Sequence, residues 1–252
     1  MILKFPKARR PAMKIKIVHL YSDLLNLYGE YGNVLALNKR LIENGCETEI
    51  ISHKFGEKII LDGVSFLYCG AGTEKKLLVA LSDIMNYREE ITSYIQKGGI
   101  GLFSGNASEL LGKSIKDLDL KEYAALGVFD YTTEIIDARF TGDVICETSL
   151  FPQTVIGFIN KSSNTSEISN AFLTVKNQFC NLYIPETDGG ICGSFISTHL
   201  LGPVLIKNPP LLEFFARAVC DRHGIVCNDS ENENILKAYQ MTLSEQLGAR
   251  NF

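Results

Sequence analysis

The sequence predicts a three-layer α/β protein, a mostly parallel β-sheet with helices on both faces and added antiparallel strands in the C-terminal half. Three observations predict it. Short apolar segments alternate with helix-period segments over residues 14–112, the signature of strands linked by crossover helices. Residues 64–68 are apolar without alternation, as in a parallel strand covered on both faces. From residue 125 the texture changes to one strand-like run after another, with no Pro/Gly/Ser linker to separate a second domain.

Residues 14–20 alternate polar and apolar side chains as a strand does. Residues 23–44 hold Leu24, Leu27, Val34, Leu37 and Leu41, interrupted by Gly29 and Gly32, and read as a turn followed by a helix ending near Gly45. A second strand follows at 48–52 and a third at 64–68. The third runs into the small-residue loop Cys69-Gly70-Ala71-Gly72-Thr73, and a helix is expected over 74–96. Residues 98–112, GGIGLFSGNASELLG, carry an apolar run (Ile100, Leu102, Phe103) that breaks at Ser104-Gly105-Asn106 before Glu109, Leu110 and Leu111 resume a helical pattern. The reading is strand, sharp turn, helix. In α/β enzymes that junction holds a nucleophile on a strained backbone, with an amide facing the developing oxyanion, and binding groups gather at the carboxyl ends of the strands.

Strands are then expected at 127–133, 138–148, 154–160, 171–177 and 190–198, and a helix over 203–222 whose Leu211, Leu212, Phe215 and Val219 share a face. Residues 228–252 begin polar and become weakly amphipathic (Ile235, Tyr239, Leu243, Leu247), a terminal helix either docked or loose. Residues 1–12 are basic and lack a signal-peptide apolar core, whereas Met13 is followed at once by strand-like sequence. Met13 is therefore read as the working start, 1–12 as a disordered extension and 13–227 as the domain.

Composition narrows the function classes. With 252 residues, 46% of them hydrophobic, the chain can bury a substantial core. A net charge of -4 without a dense Lys/Arg block gives no electrostatic footprint for nucleic acid, leaving a small molecule or a protein as partner. Seven cysteines are scattered without a CxxC pair, and four histidines (19, 53, 199, 223) show no metal-ligand spacing, so neither a metal nor a cofactor is expected. No apolar run approaches the ~20 residues that span a bilayer, and a cytoplasmic location is the expectation.

Individual residues leave alternatives open. The Gly70-Ala71-Gly72 loop lacks the spacing of a P-loop or a dinucleotide fingerprint, which leaves oxyanion-hole or turn use. His199 lies in a loop-like setting and has no partner close in sequence, so a hydrogen-bonded structural role competes with a chemical one. His19 reads as strand packing. Arg139 has the planar fork of a carboxylate clamp, but spacing alone favours a surface ion pair with Asp137 or Asp143.

Four stretches together carry a resemblance: YSDLLNLYGEYGNVLAL (21–37), CGAGTEKK (69–76), ALGVFDYTTEIIDARFTGD (125–143) and STHLLGPVLIKNP (197–209). They occur in the order, and with the character, of glutamine amidotransferase domains of the cobyric acid synthase type. Within that family the chain most resembles the GatD-like branch, the glutaminase subunits of lipid II isoglutaminyl synthase. The resemblance implies a class I amidotransferase with a flavodoxin-like fold and a cysteine at the elbow that attacks the side-chain amide of glutamine. It further implies a histidine base and a Mur-ligase-like partner, which uses ATP to activate a peptide carboxylate of a cell-wall precursor and receives the ammonia. Arg139 falls where the family has an arginine that holds the glutamine carboxylate.

The chain departs from that pattern at three places. The family elbow C-G-G-x-Q-x-L-G, laid without gaps on this sequence, puts Gly105 at the cysteine and Glu109 at the glutamine, with Ser104 one residue early and so on the opposite face of the strand. The family's T-Y-L-H-G-P becomes Thr198-His199-Leu200-Leu201-Gly202-Pro203, with Leu201 in the histidine slot. Asn160-Lys161-Ser162-Ser163 replaces a histidine followed by two glycines. The expectation is a degenerate amidotransferase-like binding subunit whose elbow, glycine loop (Gly70, Gly72), Asn106 amide and Arg139 persist. Two alternatives stand beside it: an amidohydrolase with a relocated nucleophile (Ser104, Cys69 or Cys192) and His199 as base, and a sensor that binds glutamine or a related small molecule.

Overall fold

The computed structural model describes residues 14–166, 168–228 and 233–248; the expected extension at 1–12 and the start at Met13 lie outside the described residues. Strands β1 (Ile15–Leu20), β2 (Thr48–Ser52), β3 (Val64–Cys69) and β4 (Gly101–Ser104) are mutually parallel in the order β2-β1-β3-β4. Every residue of β3 is buried, because alternate side chains enter opposite layers. Phe66 and Tyr68 pack under α1 (Tyr31–Glu43) and α5 (Pro209–Arg222), whereas Leu67 and Cys69 pack under α2 (Glu74–Ile84) and α3 (Arg88–Gln96). Sheet and helices form the three layers predicted.

The second half extends the sheet. Strands β5 (Ser114–Lys116), β6 (Glu122–Ala124), β7 (Thr133–Glu147), β8 (Val155–Thr165), β9 (Ala171–Cys180) and β10 (Thr187–Cys192) build the antiparallel addition, and β11 (Phe195–Thr198) returns parallel to β4. The expected strand at 190–198 is thus a hairpin folded at Gly193, whose φ of +59° suits glycine. Its second arm completes the parallel sheet.

Four expected elements are corrected. The helix over 74–96 is interrupted by a 3₁₀ turn at Met85–Tyr87, and the restart at Arg88 places Glu89 and Glu90 in a new first turn, where the helix dipole favours carboxylates. The segment after the elbow is a short 3₁₀ helix, Gly105–Leu111, in which the Ser108 hydroxyl donates to the Gly105 carbonyl. Residues 127–132 are irregular, because Val128 and Phe129 spend their amides on the Leu111 carbonyl and not on a neighbouring strand. The helix over 203–222 breaks at Asn208 into α4 (Val204–Lys207) and α5, since Pro209 and Pro210 offer no amide to the preceding turn. The β5–β6 hairpin was not anticipated. A final helix, α6 (Glu233–Gly248), has no buried residue and is tied down by Tyr239, whose hydroxyl donates to the Thr154 carbonyl at 2.6 Å. Among the described residues no helix is long and apolar enough to cross a membrane.

The break at Asn208 is itself a structural joint. Its side chain accepts from the Ile156 amide at 2.8 Å and donates to the Ile156 and Val204 carbonyls at 2.8 and 2.9 Å, all in buried surroundings. Asn208→Ala removes the partners of the Ile156 amide and carbonyl while the Val204 carbonyl keeps the backbone amide of residue 208, so a loss of about 2–3 kcal/mol is expected from chemical denaturation, with the transition still cooperative.

Candidate functional site

The parallel strands place their carboxyl ends along one edge, and β4 delivers the elbow there. Gly105 has φ +62°, the left-handed conformation open to glycine at little cost. A Cβ at this position would lie 2.5 Å from Ala71 Cβ and 2.6 Å from Leu201 Cδ2. The two positions expected from the resemblance to carry nucleophile and base therefore face each other, and the Leu201 side chain occupies the space beside the glycine. The Gly105 amide donates to the Leu200 carbonyl at 3.2 Å.

Ser104 points the other way, as strand alternation requires. Its buried hydroxyl lies 2.9 Å from Glu30 Oε2 and 2.7 Å from the Tyr68 hydroxyl, which donates to the same carboxylate oxygen at 2.6 Å. Burial pushes the Glu30 carboxyl above its ordinary range, against the hydrogen bonds from Tyr68 and Ser104. Gly70 permits this cluster, because a Cβ there would meet Glu30 Cβ at 2.6 Å. The Gly72 amide is engaged as well: it donates to Asn106 Oδ1 at 3.0 Å while Asn106 Nδ2 donates back to the Gly72 carbonyl at 2.9 Å.

His199 is buried, and the partner that local spacing did not reveal is Asp188. Its Nδ1 lies 2.7 Å from Asp188 Oδ1, its amide donates to Oδ2 at 3.0 Å, and the Thr198 hydroxyl donates to Oδ2 at 2.6 Å. The hairpin makes this pairing: Cys192 opposite Phe195 and Ile191 opposite Ile196 put residue 188 level with residue 199. That count was available from the turn at Gly193. The other ring nitrogen has no hydrogen bond among the described residues and lies 3.9 Å from Glu109 Oε1, which accepts from Ser163 at 2.6 Å. Burial alone would raise the Asp188 pKa, but the imidazole, Lys161 and Thr198 together hold it well below the carboxylate range, at about 2. Burial acts on Glu109 without full compensation and raises it, and the same burial lowers the Lys161 ammonium against the pull of Asp188 and Glu109.

Above these groups lies a cleft of about 80 Å³, lined by Tyr28, Asn106, Glu109, Arg139, Asn160 and Lys161 among others. It has room for a few waters and falls short of the ~300 Å³ at which ordinary ligand pockets begin. Arg139 crosses its mouth. Its guanidinium donates to Glu74 Oε1 at 2.9 Å and Asn160 Oδ1 at 2.8 Å, so the expected ion pair with Asp137 or Asp143 is replaced by one from the far side of the cleft. A bulge in β7, where 136–139 lie opposite a single β8 residue, carries the arginine there.

The structure does not bring the alternative nucleophiles to His199. Ser104 is bound to Glu30 and Tyr68, Cys69 is buried in the sheet with its thiol pushed up by burial, and Cys192 is exposed on the hairpin. Among the described residues no group of three or more His, Cys, Asp or Glu side chains is placed to hold a metal ion.

Residues 16–208 match the CobB/CobQ-like glutamine amidotransferase domain. The chain belongs to that family. The chain is 27% identical over 221 residues to subunit GatD of the glutamine-hydrolysing lipid II isoglutaminyl synthase of Staphylococcus aureus, covering 88% of this chain and 90% of that one. The corresponding GatD subunit of Streptococcus pneumoniae is 28% identical over 164 residues, covering 60% of this chain and 59% of that one. A solved structure described as a glutamine amidotransferase superposes with TM-score 0.53 at 15% identity, over 81% of this chain and 98% of that one, a likeness of fold.

The Asp188–His199 pair yields a pH signature for the domain. The Asp188 carboxyl is depressed on folding, so its contribution to stability is present above the unfolded value near pH ~4 and is lost as pH falls toward 2. Asp188→Asn is expected to cost about 2 kcal/mol near neutral pH. Urea midpoints of parent and variant should converge as pH drops below about 4.

Proposed function

We propose that this amidotransferase-family chain does not hydrolyse glutamine and serves as the binding subunit of a Mur-ligase-like synthetase, in the position that GatD holds in lipid II isoglutaminyl synthase. The observation that carries the reading is the filled space at Gly105. A nucleophile needs a side chain at the elbow and an imidazole within reach of it, and here Ala71 and Leu201 stand where the first would be while Leu201 occupies the second. Nucleophile and base act as a unit, so loss of either costs orders of magnitude in rate and loss of both costs little more. The engaged Gly72 amide and the Arg139–Glu74 pair across the mouth support the same reading.

The reading with a relocated nucleophile draws on the Asp188–His199 pair, which has the form of a base and its orienting carboxylate. Among the described residues no hydroxyl or thiol is hydrogen-bonded to the imidazole, the geometry this reading requires.

Glutamine incubated with the purified chain, alone and with the synthetase, is expected to release no ammonia above background, and Ser104→Ala should leave that background unchanged. Turnover above ~1 s⁻¹, ordinary for an enzyme, overturns the proposal. The filled space has its own test. Gly105→Ala should cost about 1–3 kcal/mol through its contacts and its backbone conformation. In Gly105→Ala/Leu201→Ala the two losses should fall short of additive, read from denaturation midpoints in a double-mutant cycle.

A further inference from the structure

Beside the cleft is a broad open depression of about 540 Å³, bounded by the first turns of α2, the β7 bulge and the tip of the β5–β6 hairpin. It shares Glu74, Ile135, Arg139 and Ser162 with the cleft, so the two make one continuous surface. The hairpin tip, residues 117–121, has the sequence DLDLK. It is held rigid from within: the Asp117 carboxylate accepts from the amides of Asp119 and Lys121 at 3.0 and 2.9 Å and from the Tyr123 hydroxyl at 3.0 Å. Leu120 sits there at φ +62°, a conformation that favours glycine. Leu118 and Leu120 are 58% and 68% exposed, and neither joins a core cluster of the described residues. A tip braced by its own hydrogen bonds that presents two leucines to water, one on left-handed backbone, gains no core packing for them among the described residues.

The charge lining the depression has one sign in excess, with Lys121 of the tip outside it. Carboxylates of Glu74, Asp117, Asp119 and Asp137 line the depression against the cations of Lys75 and Arg139. Glu74 is held by Arg139 and Asp117 by the tip's own amides, whereas Asp119 and Asp137 have no cation within ion-pair distance among the described residues. A complementary partner brings lysine or arginine beside apolar side chains.

We propose that the hairpin tip and this depression form the surface on which the synthetase docks. The docking segment is a protein loop that seats Leu118 and Leu120 in an apolar recess and sets a basic side chain against Asp119 and Asp137. The proposal rests on the reading of this chain as a binding subunit. It places the partner at the mouth of the cleft, against Arg139.

The experiment is calorimetric titration of the full chain with the purified Mur-ligase-like synthetase of the same organism, at low and high salt. Leu118→Asp/Leu120→Asp is expected to weaken binding at least ~10-fold, as loss of central apolar anchors does. Asp119→Lys/Asp137→Lys should weaken it mainly at low salt. Leu120→Gly separates docking from folding: it relieves the left-handed backbone, so the melting temperature should hold or rise while affinity falls. Parent-like affinity in all three variants overturns the surface and leaves the binding-subunit reading standing. Failure of the parent chain itself to bind overturns that reading, and this surface with it. A dimer of the parent chain that dissociates in Leu118→Asp/Leu120→Asp, seen by sedimentation, assigns the surface to a second copy and overturns the synthetase as occupant.

Discussion

Ala71 Cβ and Leu201 Cδ2 lie within 2.6 Å of where a side chain on residue 105 would begin, and the strand-end edge is packed closely around the bare glycine. It brings the loop after β3, the elbow after β4 and the segment after β11 into one packed cluster. Each segment then takes its hydrogen bonds from its neighbours: Gly105 from Leu200, Gly72 from Asn106, Leu201 from Phe158. These three amides are satisfied by the chain itself.

Strand periodicity explains why Ser104 faces away from the Gly105 side of the elbow. A shift of one residue along β4 exchanges one layer for the other, and the layer that receives Ser104 already contains Glu30 and Tyr68. A serine on that face meets a buried carboxyl group and a tyrosine hydroxyl. The close approach of Gly70 to Glu30 seals the arrangement from the opposite side.

Much of the fold was legible because each parallel strand is apolar on its own account: 14–20, 48–52 and 64–68 coincide with β1, β2 and β3 to within a residue or so. What escaped was decided at long range or by single residues. The split of 203–222 turns on Asn208, which is recruited by Ile156 some fifty positions away. The irregular course of 127–132 depends on the Leu111 carbonyl, and the β5–β6 hairpin is too short to carry a periodic signal. At the site, local reading located the glycine turn after β4, where Gly105 has φ +62°. It did not find Asp188 beside His199, although the hairpin register contains that pairing, nor the bulge that swings Arg139 toward Glu74.

The Asp188–His199 pair changes what a histidine near a Gly-Pro turn signifies in chains of this kind. Ring nitrogen and amide of His199 both bond one carboxylate, and Thr198 bonds it too, so the imidazole works as a clasp that closes the β10–β11 hairpin against the parallel sheet. Such a clasp acts mechanically and needs no substrate. The histidine of a hairpin can therefore testify to how the strands are fastened.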